Sequence, residues 1–142
     1  MAAFDLEVRQ YDAINAFANA NLLTEIGVKY AKGYKEEGKI LWVHKALYGL
    51  KESPLLWYKH LTATLEELGF WSVPNTNYIF VLEKLIFIFY IDNILVLYYS
   101  KNKYLVNNFE LNLLKQYKVY IIGKAKYFLG VQILRDCENQ KL

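Results

Sequence analysis

The sequence of 142 residues predicts an α+β fold: a mainly antiparallel sheet with helices on one face. Three observations point to it. Two apolar, β-branched and aromatic runs, Leu85–Ile91 and Ile94–Tyr99, flank Asp92-Asn93 and read as a hairpin. Two other segments repeat their apolar residues at helical spacing. The order strand, helix, hairpin, helix, strand is then the split β-α-β arrangement, in which the first strand lies beside the central hairpin.

In order along the chain, Phe4 to Ile14 reads as the first strand. Leu6, Val8, Gln10 and Asp12 alternate with Glu7, Arg9 and Tyr11, which puts Asp12 near its end. Asn19 to Gly38 is polar and broken by Gly27, Gly33 and Gly38, so it is expected to be irregular. Lys39 to His44 is a short strand candidate. The helix that follows has Ser53 as an expected N-cap, Pro54 in its first turn and Gly69 at its close. Trp57, Leu61, Leu65 and Leu68 form its buried face, while Lys59, Glu66 and Glu67 look outward.

Tyr78 to Leu82 is a further strand, leading into the stretch Lys84 to Ser100. Neither of its arms alternates polar with apolar, so both faces of the hairpin are expected to be covered. Asp92-Asn93 is expected to form the two-residue turn, since both residues tolerate positive φ. A second helix, about Asn102 to Gln116, turns Leu105, Phe109 and Leu113 inward. Lys118 to Ile122 and Tyr127 to Leu134 close the chain as strands around a Gly123 turn. Two readings of Asp92 stand side by side: a turn former, or a metal ligand on a rigid platform. The strand order allows Asp12 and Asp92 to approach one another.

Composition narrows the class. With 55% hydrophobic and 17% aromatic residues the chain can build a core, and it reads as one domain. Seventeen Lys and Arg against fourteen Asp and Glu give +3, a mild basicity compatible with nucleic acid but no argument for it. One cysteine, Cys137, excludes an internal disulfide and speaks against a cysteine metal cluster. No secretory signal is visible at the start, and the apolar runs fall short of the ~20 residues of a spanning helix. An intracellular protein with no membrane segment is expected.

Five motifs in order give the chain a resemblance to the Ty1/copia-type retrotransposon reverse transcriptases. Gln10-Tyr-Asp12-Ala-Ile-Asn-Ala-Phe17 is similar to their first motif, an aspartate followed five residues later by an aromatic. Ala46-Leu-Tyr-Gly49-Leu-Lys51-Glu-Ser-Pro54-Leu-Leu-Trp57-Tyr58 is similar to the LYGLKQAPRxWY block, the most specific of the five. Leu68-Gly-Phe70 with Phe80 comes next, then Tyr90-Ile-Asp92-Asn93 in the place of the YVDD box, and Gly123 to Val131 resembles LGEAKYFLGI. The resemblance implies a ferredoxin-like polymerase palm. It also implies a site in which Asp12 and Asp92, with Asn93 beside them, hold two Mg²⁺ ions about 4 Å apart for nucleotidyl transfer.

It implies further that Phe17 rejects a nucleotide's 2′-hydroxyl, that Gly49 lets backbone approach nucleotide and template, and that Lys51 meets phosphate. The plain alternatives are a core aromatic, a turn glycine and a solvated lysine. The partners implied are an RNA or DNA template-primer and a deoxynucleoside triphosphate. The sequence leaves the oligomeric state open.

Departures from the pattern shape the functional expectation. Asn93 stands where the box has its second aspartate, Glu52 where the block has glutamine, and Leu55 where it has arginine. The family's fingers and thumb are not matched, so residues 1–142 are expected to be a partial reverse transcriptase domain, a palm. The expected function is an inactive remnant of an RNA-directed DNA polymerase from a copia-type element. The alternative is a domesticated, non-catalytic nucleic-acid-binding module, or a subunit completed by another chain.

Overall fold

The computed structural model describes residues 6–30, 33 and 38–134. Phe4, at the expected start of the first strand, and Cys137 lie outside them. Two compact units divide the chain: residues 1–14 with 63–142, and residues 15–62.

The larger unit is built on a six-stranded antiparallel sheet. Its strands are β1 (Leu6–Ala13), β4 (Trp71–Ser72), β5 (Ile79–Leu82), β6 (Leu85–Tyr90), β7 (Asn93–Tyr99) and β8 (Val119–Lys124), in the spatial order β4-β5-β6-β7-β1-β8. The first strand therefore does pair with the central hairpin. In β7, Ile94 to Tyr98 are all buried, so this strand is covered on both faces; β6 alternates buried with half-buried positions.

Register assigns the faces, because side chains alternate along each strand. Arg9, Val96 and Phe87 form one cross-strand row, and on their face lies helix α2 (Lys103–Gln116). Phe109 of that helix packs its ring 5.7 Å from Phe87, and Phe70 completes an edge-to-face trio at 5.3 and 5.9 Å. Val106, Phe109 and Leu113 are the buried residues of α2; Leu105, expected inward, is only half-buried. The opposite face holds a cluster of Leu6, Leu95, Leu97 and Ala125, against which Phe128 and Ile133 pack. Phe128 belongs to a short hairpin of β9 (Tyr127–Phe128) and β10 (Val131–Gln132).

Two turns differ from expectation. Gly123 is no turn but sits inside β8 at φ 87°, where the register with β1 slips by one residue between Gln10 and Tyr11. It is a bulge, and glycine supplies the positive φ that such a bulge needs. The reversal comes later, at Leu129-Gly130, whose φ values of 50° and 78° suit a tight two-residue hairpin turn. At the central hairpin the turn is Ile91-Asp92, not Asp92-Asn93, since Tyr90 pairs with Asn93.

The smaller unit holds a 3₁₀ turn (Ala16–Asn19) and a two-stranded ribbon of β2 (Asn21–Val28) and β3 (Leu41–Lys45). β2 corrects the expectation of irregular chain between Asn19 and Gly38. Only Leu22 and Ile26 in it are even half-buried, so it shows no apolar alternation to read. The boundary between the units falls within α1 (Ser53–Glu67), after Thr62.

Glu52, not Ser53, occupies the N-cap position of α1: its carbonyl accepts the Leu56 N–H at 3.0 Å. The Ser53 hydroxyl instead donates to the Leu47 carbonyl at 2.6 Å, locking the preceding turn to the helix. Trp57, Leu61 and Leu65 are buried, as their spacing predicts. Gly69, at φ 89°, ends the helix with Gly69 N–H to Glu66 and Phe70 N–H to Leu65, both 2.9 Å. That pair is the glycine-closed helix end expected from the sequence.

Candidate active site

β1 and β7 are neighbouring antiparallel strands of the larger sheet, and the end of β1 meets the start of β7. Asp12 stands directly across from Asn93, and the Ala13 N–H donates to the Asp92 carbonyl at 2.8 Å. Asp12, Asn93 and Tyr90 thus form the last cross-strand row, on the face away from α2. All of these residues are rigidly placed by backbone pairing on both sides of β7.

The turn that presents Asp92 is strained. Ile91 has φ 55°, in the left-handed region that a β-branched residue avoids. Such a conformation costs about 1–3 kcal/mol and persists only where surrounding structure enforces it. Here the strand pairs Phe89–Ile94 and Tyr90–Asn93 on one side, and β1 on the other, leave the chain no second route.

Electrostatics link the two carboxylates. Partial burial raises the pKa of Asp12 above its ordinary 3.8, and the negative charge of Asp92 raises it further. Two like charges held together in this way are relieved by a cation. Asn93 Nδ2 donates to Asp92 Oδ1 at 3.2 Å, so the amide satisfies one acceptor of the carboxylate. Two carboxylates and an amide oxygen are hard donors of the kind Mg²⁺ accepts. Among the described residues no group of three or more His, Cys, Asp and Glu side chains gathers as a metal cluster.

Phe17, Gly49 and Lys51 belong to the smaller unit. The Phe17 side chain is buried, its ring centroid 4.3 Å from that of Tyr48. Gly49 adopts φ 93° in a turn closed by Leu50 N–H to Leu47 at 3.3 Å, and a Cβ there would meet nothing within 4 Å. Its glycine is required by the backbone conformation. Lys51 is exposed, and the Thr24 hydroxyl donates to neighbouring Glu52 at 3.1 Å.

A polar group that supports β1 escaped the sequence reading. Tyr11, fully buried, donates its hydroxyl to Glu110 Oε2 at 2.9 Å, and Arg9 Nη1 reaches the same oxygen at 2.7 Å. Burial first, then this bond, pushes the Tyr11 phenol well above its usual range, so it stays a donor. The signal was present: Arg9 and Tyr11 sit on the face opposite Asp12, and Glu110 follows Phe109 on the inward side of α2. The three residues tie the strand bearing Asp12 to the helix behind it.

An antiparallel α+β sheet in which a carboxylate at the end of one strand feels another in the neighbouring hairpin turn is the class of protein defined so far. Comparison with known families makes it particular. Residues 1–142 match the family of reverse transcriptases (RNA-dependent DNA polymerases), and the chain belongs to that family. It is similar to retrovirus-related Pol polyproteins of copia-type transposons. With that of transposon TNT 1-94 from Nicotiana tabacum it shares 30% identity over 99% of this chain, and with that of RE1 from Arabidopsis thaliana 30% over 90%. The Ty5-1 transposon protein of Saccharomyces cerevisiae is 30% identical over 86% of the chain, which covers 41% of that protein. The chain spans only 11% and 9% of the TNT 1-94 and RE1 polyproteins. No helix among the described residues is long and apolar enough to cross a membrane.

Proposed function

We propose that this chain is the palm of a copia-type reverse transcriptase, with a metal site that is weakened and does not support primer extension. The reading of its larger unit as a ferredoxin-like palm rests on the order β8-β1-β7-β6, all antiparallel, with the hairpin tip beside the end of β1. The observation that carries the proposal is the pairing of Asp12 with Asn93 next to Asp92.

Asp12 and Asp92 are the proposed ligands, with the Asn93 amide oxygen as a weak third. Bound Mg²⁺ would lower the pKa of a primer hydroxyl and steady the leaving phosphate. The chain's own part is to hold two carboxylates on paired strands so that their repulsion is spent on a cation and not on protonating Asp12. In the same reading Phe17 crowds the 2′-position of a nucleotide, Gly49 leaves its backbone open to nucleotide and template, and Lys51 meets phosphate. The domain is read as a partial one, residues 1–142.

Asn93 favours a second reading, a non-catalytic nucleic-acid-binding module. An amide in place of a third carboxylate lowers the anionic charge that sets affinity for a hard cation. Extension of an oligo(dT) primer on poly(rA), with Mg²⁺ or Mn²⁺, separates activity from its absence. No extension is expected. Product formed by the unaltered chain and lost in Asp92→Ala would overturn the inactive reading.

A further inference from the structure

The larger unit has a cavity that the carboxylate site does not use. It measures about 140 Å³ and opens where α2 passes the β5–β6 turn and the segment after α1. Its floor is apolar and well covered: Phe70, Leu85 and Phe109 are each no more than 5% exposed. Half-buried Leu68, Leu82 and Leu105 form the walls. Apolar cavities of about 150 Å³ stay dry and accept a benzene ring. Size and floor here suit one six-membered aromatic ring. The Phe70 and Phe109 rings, 5.3 Å apart edge to face, give it aromatic neighbours.

The mouth is polar. Its side chains are Glu83, in the β5–β6 turn, and Asn108 and Asn112, which lie four residues apart on one row of α2. All three are exposed, and none has a side-chain hydrogen bond or ion pair among the described residues. Lys84, Lys103 and Lys115 stand near in the chain, as do Glu66 and Glu67, but none of these five lines the cavity. Glu83 is therefore the one charged lining residue among the described residues. An ammonium carries three N–H donors and no acceptor. One carboxylate and two amide oxygens match that count, whereas an anionic ligand would meet Glu83 as a like charge.

We propose that this cavity binds a small aromatic amine, its ring against Phe70, Leu85 and Phe109 and its ammonium among Glu83, Asn108 and Asn112. Leu85 starts β6 and Tyr90 ends it, so the cavity sits at the opposite end of that strand from the Asp92 turn. The assignment does not depend on the polymerase reading. An ion pair in water adds little, so the ring supplies most of the affinity and the head group the preference. For a ligand of about eight heavy atoms this puts Kd on the order of 1 mM.

Benzylamine is the probe, titrated into the full chain at neutral pH and followed by nuclear magnetic resonance. Its ring protons should show nuclear Overhauser effects to the methyls of Leu82, Leu85 and Leu105. Benzyl alcohol should bind about threefold more weakly and benzoate about tenfold, and methylamine, which lacks the ring, should not bind. Glu83→Gln should lose about threefold for benzylamine and nothing for benzyl alcohol. At about ten times Kd, benzylamine should raise the thermal midpoint by about 5 °C. Leu105→Trp fills the space and should remove both that rise and the binding.

No binding at about 10 mM benzylamine, ten times the expected Kd, overturns the proposal. Benzoate bound as well as benzylamine, or undiminished binding by Leu105→Trp, overturns it too. Overhauser effects to methyls elsewhere would place the ring outside the cavity with the same consequence. If Leu105→Trp does not fold, the Overhauser contacts in the unaltered chain decide. None of these results bears on Asp12 and Asp92, so failure here leaves the palm reading intact.

Discussion

The hairpin β6–β7 and the ribbon β2–β3 are both two antiparallel strands, yet they are stabilised by different things. In the hairpin, β7 is buried from Ile94 to Tyr98 and pairs on both sides, so packing fixes its register and can enforce an unfavourable φ at Ile91. In the ribbon, Leu23, Leu41 and Trp42 are 79%, 43% and 53% exposed, and the register slips between Asn21 and Ile26. A strand covered on both faces has one register compatible with its core; an exposed one is weakly specified. Chemistry that needs two carboxylates in fixed relation suits the first setting.

Core and ribbon substitutions should break this contrast if it is wrong. Phe87→Ala removes a fully buried ring from the trio with Phe70 and Phe109 and should cost about 3–5 kcal/mol in urea denaturation. Trp42→Ala, although it deletes a larger side chain, should fall within about 0.5 kcal/mol of the unaltered chain. Similar costs for the two would mean that the ribbon is as well packed as the hairpin.

Next in size is the support behind β1. Glu110→Ala strips Arg9 and Tyr11 of their shared acceptor and should destabilise by about 1.5–3 kcal/mol, whereas Tyr11→Phe should lose only about 1 kcal/mol. A double-mutant cycle between the two measures the coupling, and additive effects would show that the hydrogen bond contributes nothing.

The smallest expected effect has a sign that depends on pH. Asp12 has a folded-state pKa above its unfolded value of 3.8, so the native chain holds that proton more tightly. Its contribution to stability is then full below that unfolded value and is lost as pH rises through the folded pKa. In metal-free buffer Asp12→Asn should raise the thermal midpoint at neutral pH, with the gain fading as pH falls through the folded pKa and gone below 3.8. A midpoint lowered at neutral pH would mean that Asp12 is held by a favourable partner instead of a like charge.

These differences also explain what could be read from the sequence. The hairpin, β1 and both helices were legible because burial imprints apolar runs or a helical period, as at Trp57, Leu61 and Leu65. β2 was hidden because almost none of it is buried. The turn was misplaced by one residue because packing overrides local preference, putting Ile91 where an Asp or Asn was expected. Gly123 announced a positive φ correctly, but the same φ serves a turn or a bulge, and only the partner strand decides. The approach of Asp12 to Asp92 followed from strand order alone. The hydrogen bond from Asn93 to Asp92 and the Glu110 network depend on side-chain geometry that no periodicity records.

Metal binding at the hairpin tip tests the proposed site most directly. Mn²⁺ can be titrated into the chain by electron paramagnetic resonance, with Mg²⁺ as competitor, for the unaltered protein, Asn93→Asp and the pair Asp12→Asn with Asp92→Asn. Weak binding is expected for the unaltered chain, and binding about tenfold tighter for Asn93→Asp, since a third carboxylate adds ligand charge. The double variant should bind none. Affinity that is unchanged when both carboxylates are neutralised would contradict the assignment of Asp12 and Asp92 as a metal site.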